Sequence, residues 1–193
     1  MSEHDTIYHE RQSMQLCLVH ALNNLFQGLA YTQKTIDDIC RELAPDSNFL
    51  TNPHKSWLGL GNYDVNVLMR ALLDKDCAAV WFDNRKDPHC LDLDNVVGFI
   101  VNMPSSQSIG PITIPFWKGR HWFSIRLLCG AYYNLDSKLP QPKLIGNSED
   151  LLKFLTDTIL SGDKQLFVVV GKHVETSQTY LHPPYRDCDE TRK

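Results

Sequence analysis

The sequence contains no apolar run long enough to cross a membrane. Its most apolar stretch, residues 96–101, is interrupted by Gly98 and falls far short of the roughly 18 residues that a membrane-spanning helix needs. It also contains no cluster of lysine and arginine, and its formal net charge is −4. Without a basic patch, neither nucleic acid nor an anionic membrane is expected as the main partner.

The cysteines lack the spacing of a disulfide framework. There are six, at positions 17, 40, 77, 90, 129 and 188, and the polar residues 1–5 do not show the pattern of a secretion signal. We therefore expect reduced thiols and a cytoplasmic protein. A zinc site is not expected either, because Cys17-x-x-His20 would need two further ligands and His89-Cys90 does not supply a matching pair.

The order of the predicted elements indicates an α+β fold. The 193 residues, of which 42% are hydrophobic, are enough for one domain with a sizeable core. Apolar residues at helical spacing predict helices from Cys17 and over residues 33–43 (with Thr32 as N-cap), 63–73 and 148–160. Strands are predicted at residues 78–83, 96–102 and 166–170, with a hairpin in 120–137. Helices grouped first and strands later favour helices packed on a central antiparallel sheet.

Three segments are predicted to lie outside the regular elements. Residues 47–61 are expected to form a connecting loop with one short helical turn, and the Pro/Ser/Gly-rich residues 103–119 a second loop. The domain is expected to span residues 7–172, and residues 173–193 to form a flexible C-terminal tail.

Cys17 stands on the first turn of its predicted helix. The apolar face of that helix consists of Leu18, Ala21, Leu22, Leu25 and Phe26. Backbone N–H groups at a helix start favour a thiolate and can lower a cysteine pKa from about 8.5 to about 3.5–7.5. Gln12 lies just upstream, so its amide and the backbone N–H of Cys17 are candidates for donating to an oxyanion. The alternative is an inert buried cysteine.

A general base for this thiol is predicted in the hairpin. If the turn centres on residues 128–129, His121 lies directly opposite Asp136, and cross-strand neighbours have Cβ atoms about 4.5–5.5 Å apart. Asn134 has the same strand parity as Asp136, so another register would still place an orienting side chain near the histidine. With Asp136 as the orienter, Asn134 is expected to serve the loop or backbone.

Together these residues resemble the Josephin family of papain-like, ubiquitin-specific cysteine proteases. The resemblance rests on Gln12, on Leu-Cys-x-x-His-x-Leu-Asn-Asn around Cys17, on His121-Trp122-Phe123 and on Asn134-Leu135-Asp136-Ser137. It covers residues 8–172 in the right order and spacing, and it is similar to the short members that consist of little beyond this domain.

The resemblance implies a deubiquitinating enzyme that needs no metal or organic cofactor. It implies Cys17 as nucleophile, His121 as general base and acid, Asp136 as orienter and Gln12 as oxyanion donor. The large family member has asparagine in place of Asp136. Ubiquitin and ubiquitinated proteins or polyubiquitin chains are the implied partners, and a monomer is expected.

Two other classes of function remain open. A ubiquitin-binding module could keep the same residues around a weakly active or vestigial site, and it would form no covalent adduct with a ubiquitin that carries a C-terminal electrophile. A thiol acyltransferase could also use a Cys/His/Asp triad. It would need a cofactor-phosphate site, and the sequence has no glycine-rich helix start to supply one.

Two neighbours of the site have alternative interpretations. His20 is interpreted as a hydrogen-bonded residue packed behind the site, with tuning of the thiolate as the alternative. Residues 104–120 resemble an insertion of the short family members. They are expected to form either a β-like excursion on the sheet edge or a flap in which Phe116 or Trp117 excludes water from bound substrate.

Overall fold

Helices pack on both faces of one antiparallel sheet. The computed structural model describes residues 7–13, 16–45, 63–109 and 112–185, with backbone alone for residues 106–109 and 112–118. The helices are α1 (Cys17–Phe26), α2 (Gln33–Leu43), α3 (Val65–Leu73), α4 (Ser148–Leu160) and α5 (Lys172–Ser177). The strands are β1 (Cys77–Trp81), β2 (Gly98–Ile109), β3 (Ile112–Leu128), β4 (Ala131–Asn134), β5 (Lys143–Gly146) and β6 (Gln165–Gly171). Their order in the sheet is β1-β6-β2-β3-β4-β5, which confirms the predicted α+β fold.

Side-chain caps fix where the helices begin. Thr32 caps α2 through reciprocal bonds with Thr35, and α2 covers the predicted residues. The Asp64 side chain accepts from the backbone of Asn66 and Val67, so α3 starts at residue 65 rather than 63. The predicted helical turn within residues 47–61 lies outside the described residues.

The central strands are buried on both faces, which explains their continuous apolar runs. Alternate residues of β6 enter opposite cores: Phe167 and Val169 pack with α1, α2 and α3, whereas Val168 and Val170 pack with α4. The first of these cores contains Cys17 and Trp122. The start of α1 therefore packs against β3 in this core.

Helix α1 packs closely against the sheet at Gly98. A Cβ at this position would lie 2.7 Å from Leu25 Cδ1 and 2.7 Å from the backbone oxygen of Ile125. We expect Gly98→Ala to lower the free energy of unfolding by about 1–3 kcal/mol, because the backbone oxygen cannot rotate away. Urea unfolding measures the loss. Gly28→Ala is the matched control, since nothing lies within 4 Å of its added Cβ; equal losses in both variants would contradict the packing argument.

The prediction of a loop at residues 103–119 is wrong for most of this segment. Strands β2 and β3 continue through it as a long hairpin, in which Met103 pairs with His121 and Ser108 with Thr113. Pairing of β6 with β2 ends at Asn102, so Pro104 stands where one edge of β2 is open, and a strand tolerates proline there. The backbone thus matches the β-like alternative. The side chains of Phe116 and Trp117 lie outside the description, and the flap remains a prediction.

The prediction of a flexible tail from residue 173 is also wrong for residues 173–185. Helix α5 follows β6 directly, and Val174 is buried against the second core. Further along, the backbone of Leu181 pairs with Leu91, and the His182 N–H donates to the Cys90 oxygen over 2.9 Å. Buried apolar side chains and backbone bonds therefore hold this segment. Residues 186–193 lie outside the described residues.

Several further properties can be stated for the part of the chain that the structure describes. No helix there has the length and apolar character to cross a membrane. No group of three His, Cys, Asp or Glu side chains is placed there to hold a metal ion. No disulfide joins the five cysteines in it, of which four are buried and Cys129 is exposed.

Candidate active site

The hairpin turn lies one residue later than predicted. It is formed by Cys129 and Gly130, which both have positive φ, and Ile125 pairs with Asn134. If β4 continued in this register, it would place Lys138 rather than Asp136 opposite His121. The predicted register is therefore wrong.

The predicted contact between His121 and Asp136 is confirmed by a different route. Strand β4 ends at Asn134, whose Oδ1 accepts a 2.9 Å hydrogen bond from the Asp136 N–H. This side-chain turn brings the Asp136 carboxylate back, and its Oδ1 lies 2.6 Å from His121 Nε2. Asn134 thus serves the backbone, as expected, and Asp136 meets the histidine.

The environment of Asp136 keeps its carboxylate ionised. Burial raises its pKa, but the hydrogen bond and charge of His121, together with the backbone N–H and charge of Lys138, outweigh burial and hold the pKa below its usual range. A carboxylate accepts only, so His121 Nε2 carries a proton and donates it. Nδ1 is then the ring nitrogen that can take up a proton.

Cys17 is buried at the start of α1 beside the same strand. Its side chain is 3% exposed, and Sγ lies 4.0 Å from the carbonyl oxygen of Arg120, the residue before His121. Burial raises the pKa of Cys17, and the backbone N–H groups of Trp122 and Leu18 and the charge of Lys138 offset only part of that effect. The expected lowering of the Cys17 pKa by the helix start is therefore wrong, because burial outweighs it.

Gln12 is joined to the loop that carries Asp136. Its backbone N–H donates to the Ser137 oxygen over 2.7 Å. Because Asp136 meets His121 and Arg120 meets Cys17, these contacts bring all four predicted site residues to one end of α1. Residues 14–15, between Gln12 and the helix, lie outside the described residues.

The sequence matches known proteins over most of its length. The Josephin family model matches residues 12–170. The chain belongs to the Josephin family. It is 50% identical over 187 residues to a Josephin-like protein of Drosophila melanogaster, a match that covers 94% of this chain and 83% of the other. Josephin-2 of Homo sapiens is 46% identical over 176 residues, covering 91% of this chain and 92% of the relative. Ataxin-3 of Gallus gallus is 28% identical over 184 residues, a match that covers 86% of this chain and 46% of the relative.

A polar stripe on α1 of this Josephin domain was missed by the sequence analysis. It consists of buried or half-buried side chains at helical spacing, namely His20, Asn23 and Asn24, and continues to Gln27 at the C-cap. That spacing within an otherwise apolar helix is a signal that could have revealed it. The stripe faces the N-terminal segment rather than solvent.

The stripe binds residues 8–13 across the helix. Asn24 accepts from the Glu10 N–H over 2.6 Å and donates to the Leu135 oxygen over 2.9 Å. Gln27 accepts from the Tyr8 N–H over 3.0 Å. His9 donates from Nε2 to the Asp136 oxygen over 3.1 Å. The N-terminal segment therefore contacts both α1, which begins at Cys17, and the loop that carries Asp136.

Glu10 is the centre of a half-buried polar cluster. Its carboxylate accepts from Tyr8 Oη, from Asn23 Nδ2 at 3.0 Å and from His20 Nδ1 at 2.6 Å. Burial raises the Glu10 pKa, but these hydrogen bonds outweigh burial and lower it. The interpretation of His20 as a hydrogen-bonded residue is confirmed.

A groove lies on the other side of Cys17, between the start of α3 and the sheet. Its volume is about 370 Å³, and Val65, Trp81, Arg120 and Trp122 are among its lining residues. Trp122 Nε1 donates to the Tyr63 oxygen over 3.0 Å, which fixes the indole as a wall of the groove. Arg120 and Trp122 line this groove, and their backbone atoms also contact the Cys17 sulfur.

Proposed function

We propose that this chain is a deubiquitinating cysteine protease that hydrolyses the peptide or isopeptide bond after the C-terminal glycine of ubiquitin. Its partners would be ubiquitin and ubiquitinated proteins or polyubiquitin chains. The observation that carries the proposal is the 2.6 Å contact between His121 Nε2 and Asp136 Oδ1, with the Cys17 sulfur beside the residue preceding that histidine.

Each residue has a step in this reaction. His121 Nδ1 accepts the Cys17 proton, and the thiolate attacks the glycine carbonyl carbon to form a tetrahedral oxyanion. The Gln12 amide and the Cys17 backbone N–H donate to that oxyanion. His121 then protonates the departing amine, and a thioester between ubiquitin and Cys17 remains. Water hydrolyses the thioester with His121 again acting as base.

Asp136 supports the histidine in both of its protonation states. By accepting from Nε2–H it fixes the tautomer that leaves Nδ1 ready for the thiol proton. Its negative charge also stabilises the imidazolium that forms when the thiol is deprotonated. That support matters here because burial raises the pKa of Cys17 and so opposes formation of the thiolate.

A second candidate is a ubiquitin-binding module with a weakly active site. The burial of Cys17 and its raised pKa favour this alternative, because a thiol is a much weaker nucleophile than a thiolate. In this case ubiquitin would bind and cleavage would be slow or absent.

One experiment separates the two candidates. We expect ubiquitin carrying a C-terminal electrophile to form a covalent adduct that maps by mass spectrometry to Cys17 alone. Cys129→Ala is the matched control, since it removes an exposed thiol far from any described role. Ubiquitin binding without an adduct would support the binding module, and an adduct on a different cysteine would refute the assigned nucleophile.

Gln12→Ala should lower the chemical rate far more than it weakens ubiquitin binding. Loss of one oxyanion donor typically costs about 10²–10³ in rate. The backbone contact from Gln12 to Ser137 does not need the side chain, so the segment should stay in place. Single-turnover rates and ubiquitin affinity measure the two effects. A change confined to affinity would make Gln12 a docking residue.

A further inference from the structure

We propose that His20 is a positioning residue that holds the oxyanion donor Gln12 in place. This inference rests on the proposed function. His20 does not contact the reacting atoms in the structure; it contacts the chain on both sides of Gln12. On one side Nδ1 lies 2.6 Å from Glu10 Oε2, and on the other the Ser13 N–H donates to Nε2 over 3.3 Å.

The two contacts specify a single tautomer of His20. A backbone N–H can only donate, so Nε2 must present a lone pair to Ser13. Nδ1 therefore carries the proton and donates it to the Glu10 carboxylate. The Ser13 hydroxyl, also 3.3 Å from Nε2, can donate to the same lone pair. Removal of either ring nitrogen would release one side of the Gln12 segment.

Two further contacts hold the segment of residues 10–13, one from α1 and one from the loop that carries Asp136. The Glu10 carboxylate accepts a second bond from α1 through Asn23, and the Gln12 N–H donates to Ser137. The segment is thus held at Glu10, Gln12 and Ser13, and His20 contacts the first and the last of these residues. Rotation of the Gln12 amide by even a small angle would weaken the oxyanion bond, because a catalytic donor must match the position of the developing charge.

A pair of amide substitutions separates the two contacts. The side-chain amide of His20→Gln reaches as far as Nε2 and can accept from Ser13, whereas that of His20→Asn reaches only as far as Nδ1 and can donate to Glu10. We expect His20→Asn to lower kcat and His20→Gln to retain more of it, with little change in ubiquitin affinity, because Ser13 is adjacent to Gln12 whereas Glu10 lies two residues away. The loss cannot exceed the about 10²–10³-fold expected for Gln12→Ala, because His20 acts through that donor.

The decisive measurement repeats His20→Asn in a Gln12→Ala background. We expect the additional loss of kcat to disappear there, because no donor remains to be positioned. Losses that multiply in the double variant of a folded protein would overturn the inference. Thermal unfolding and alkylation of Cys17 by iodoacetamide check that the site is intact.

A second variant covers the case in which His20→Asn does not fold. Glu10→Gln keeps an oxygen that can accept from Nδ1 but removes the charge that strengthens this hydrogen bond. Glu10→Gln should lower kcat in the otherwise unaltered protein and should have no further effect on kcat in the Gln12→Ala variant. Failure of the unaltered protein to react with electrophilic ubiquitin would refute the proposed function. A reactive protein with no coupling between positions 12 and 20 would refute the positioning role alone.

Discussion

Cys17→Ala is expected to abolish hydrolysis of ubiquitin conjugates while the fold remains intact. The change removes the one atom that forms the thioester, and water cannot replace it at a site arranged for a thiol. Cys17 packs in the core with Trp122, so removal of a single sulfur leaves only a small cavity. A fluorogenic amide of the ubiquitin C-terminus measures the activity, and urea unfolding measures the stability.

The other cysteines provide the controls. Cys129→Ala changes an exposed thiol, and Cys90→Ala changes a buried one in the opposite core, so they separate the loss of a thiol from the loss of packing. Variants at positions 40, 77 and 188 complete the set. All of them should keep activity if they fold. Appreciable turnover by Cys17→Ala would refute the mechanism.

Asp136→Ala is expected to remove most of the activity. His121 Nε2–H would lose its acceptor, and the ring would no longer be held in the tautomer that presents Nδ1 to the thiol. In a serine protease triad, loss of the correct tautomer costs about 10⁴ in kcat, which sets the scale of the effect. Asp136→Asn keeps an acceptor oxygen but no charge, so an intermediate loss is expected.

Asn134→Ala is the matched control for this residue. It removes the bond from Asn134 Oδ1 to the Asp136 N–H, while the Lys138 N–H still donates to Asp136 Oδ1 over 2.9 Å. The carboxylate should therefore remain near His121, and activity should fall only modestly. Steady-state kcat on the same substrate ranks the variants. If folded Asn134→Ala were more damaging than Asp136→Ala, the orienter would be misassigned.

Features set by local chemistry were predicted well from the sequence. Thr32 caps α2 with atoms of its own first turn, and Asn147 does the same for α4, so a few neighbouring residues contain the information. Cys17 at a helix start follows from apolar spacing in the same way. The pairing of His121 with Asp136 was also found, although the turn was misplaced, because a glycine next to a cysteine allows more than one hairpin turn.

Features set by distant contacts were missed. The composition of residues 103–109 favours a loop, but pairing with β3 overrides local propensity and extends the strand. Helix α5 and Leu181 are held by residues almost a hundred positions earlier, such as Leu91. The prediction of a lowered Cys17 pKa was wrong for a related reason. The sequence reveals a helix start but not how deeply the fold buries it. Burial then outweighs the helix N-terminus.

The buried sulfur also determines how this protein should meet oxidative stress. Peroxide attacks thiolates, and a thiol whose pKa is raised by burial presents very little thiolate at neutral pH. The exposed Cys129, on the turn between β3 and β4, is accessible to bulky oxidants where Cys17 is not. The proposed nucleophile Cys17 is therefore expected to survive oxidising episodes that modify the surface of the protein.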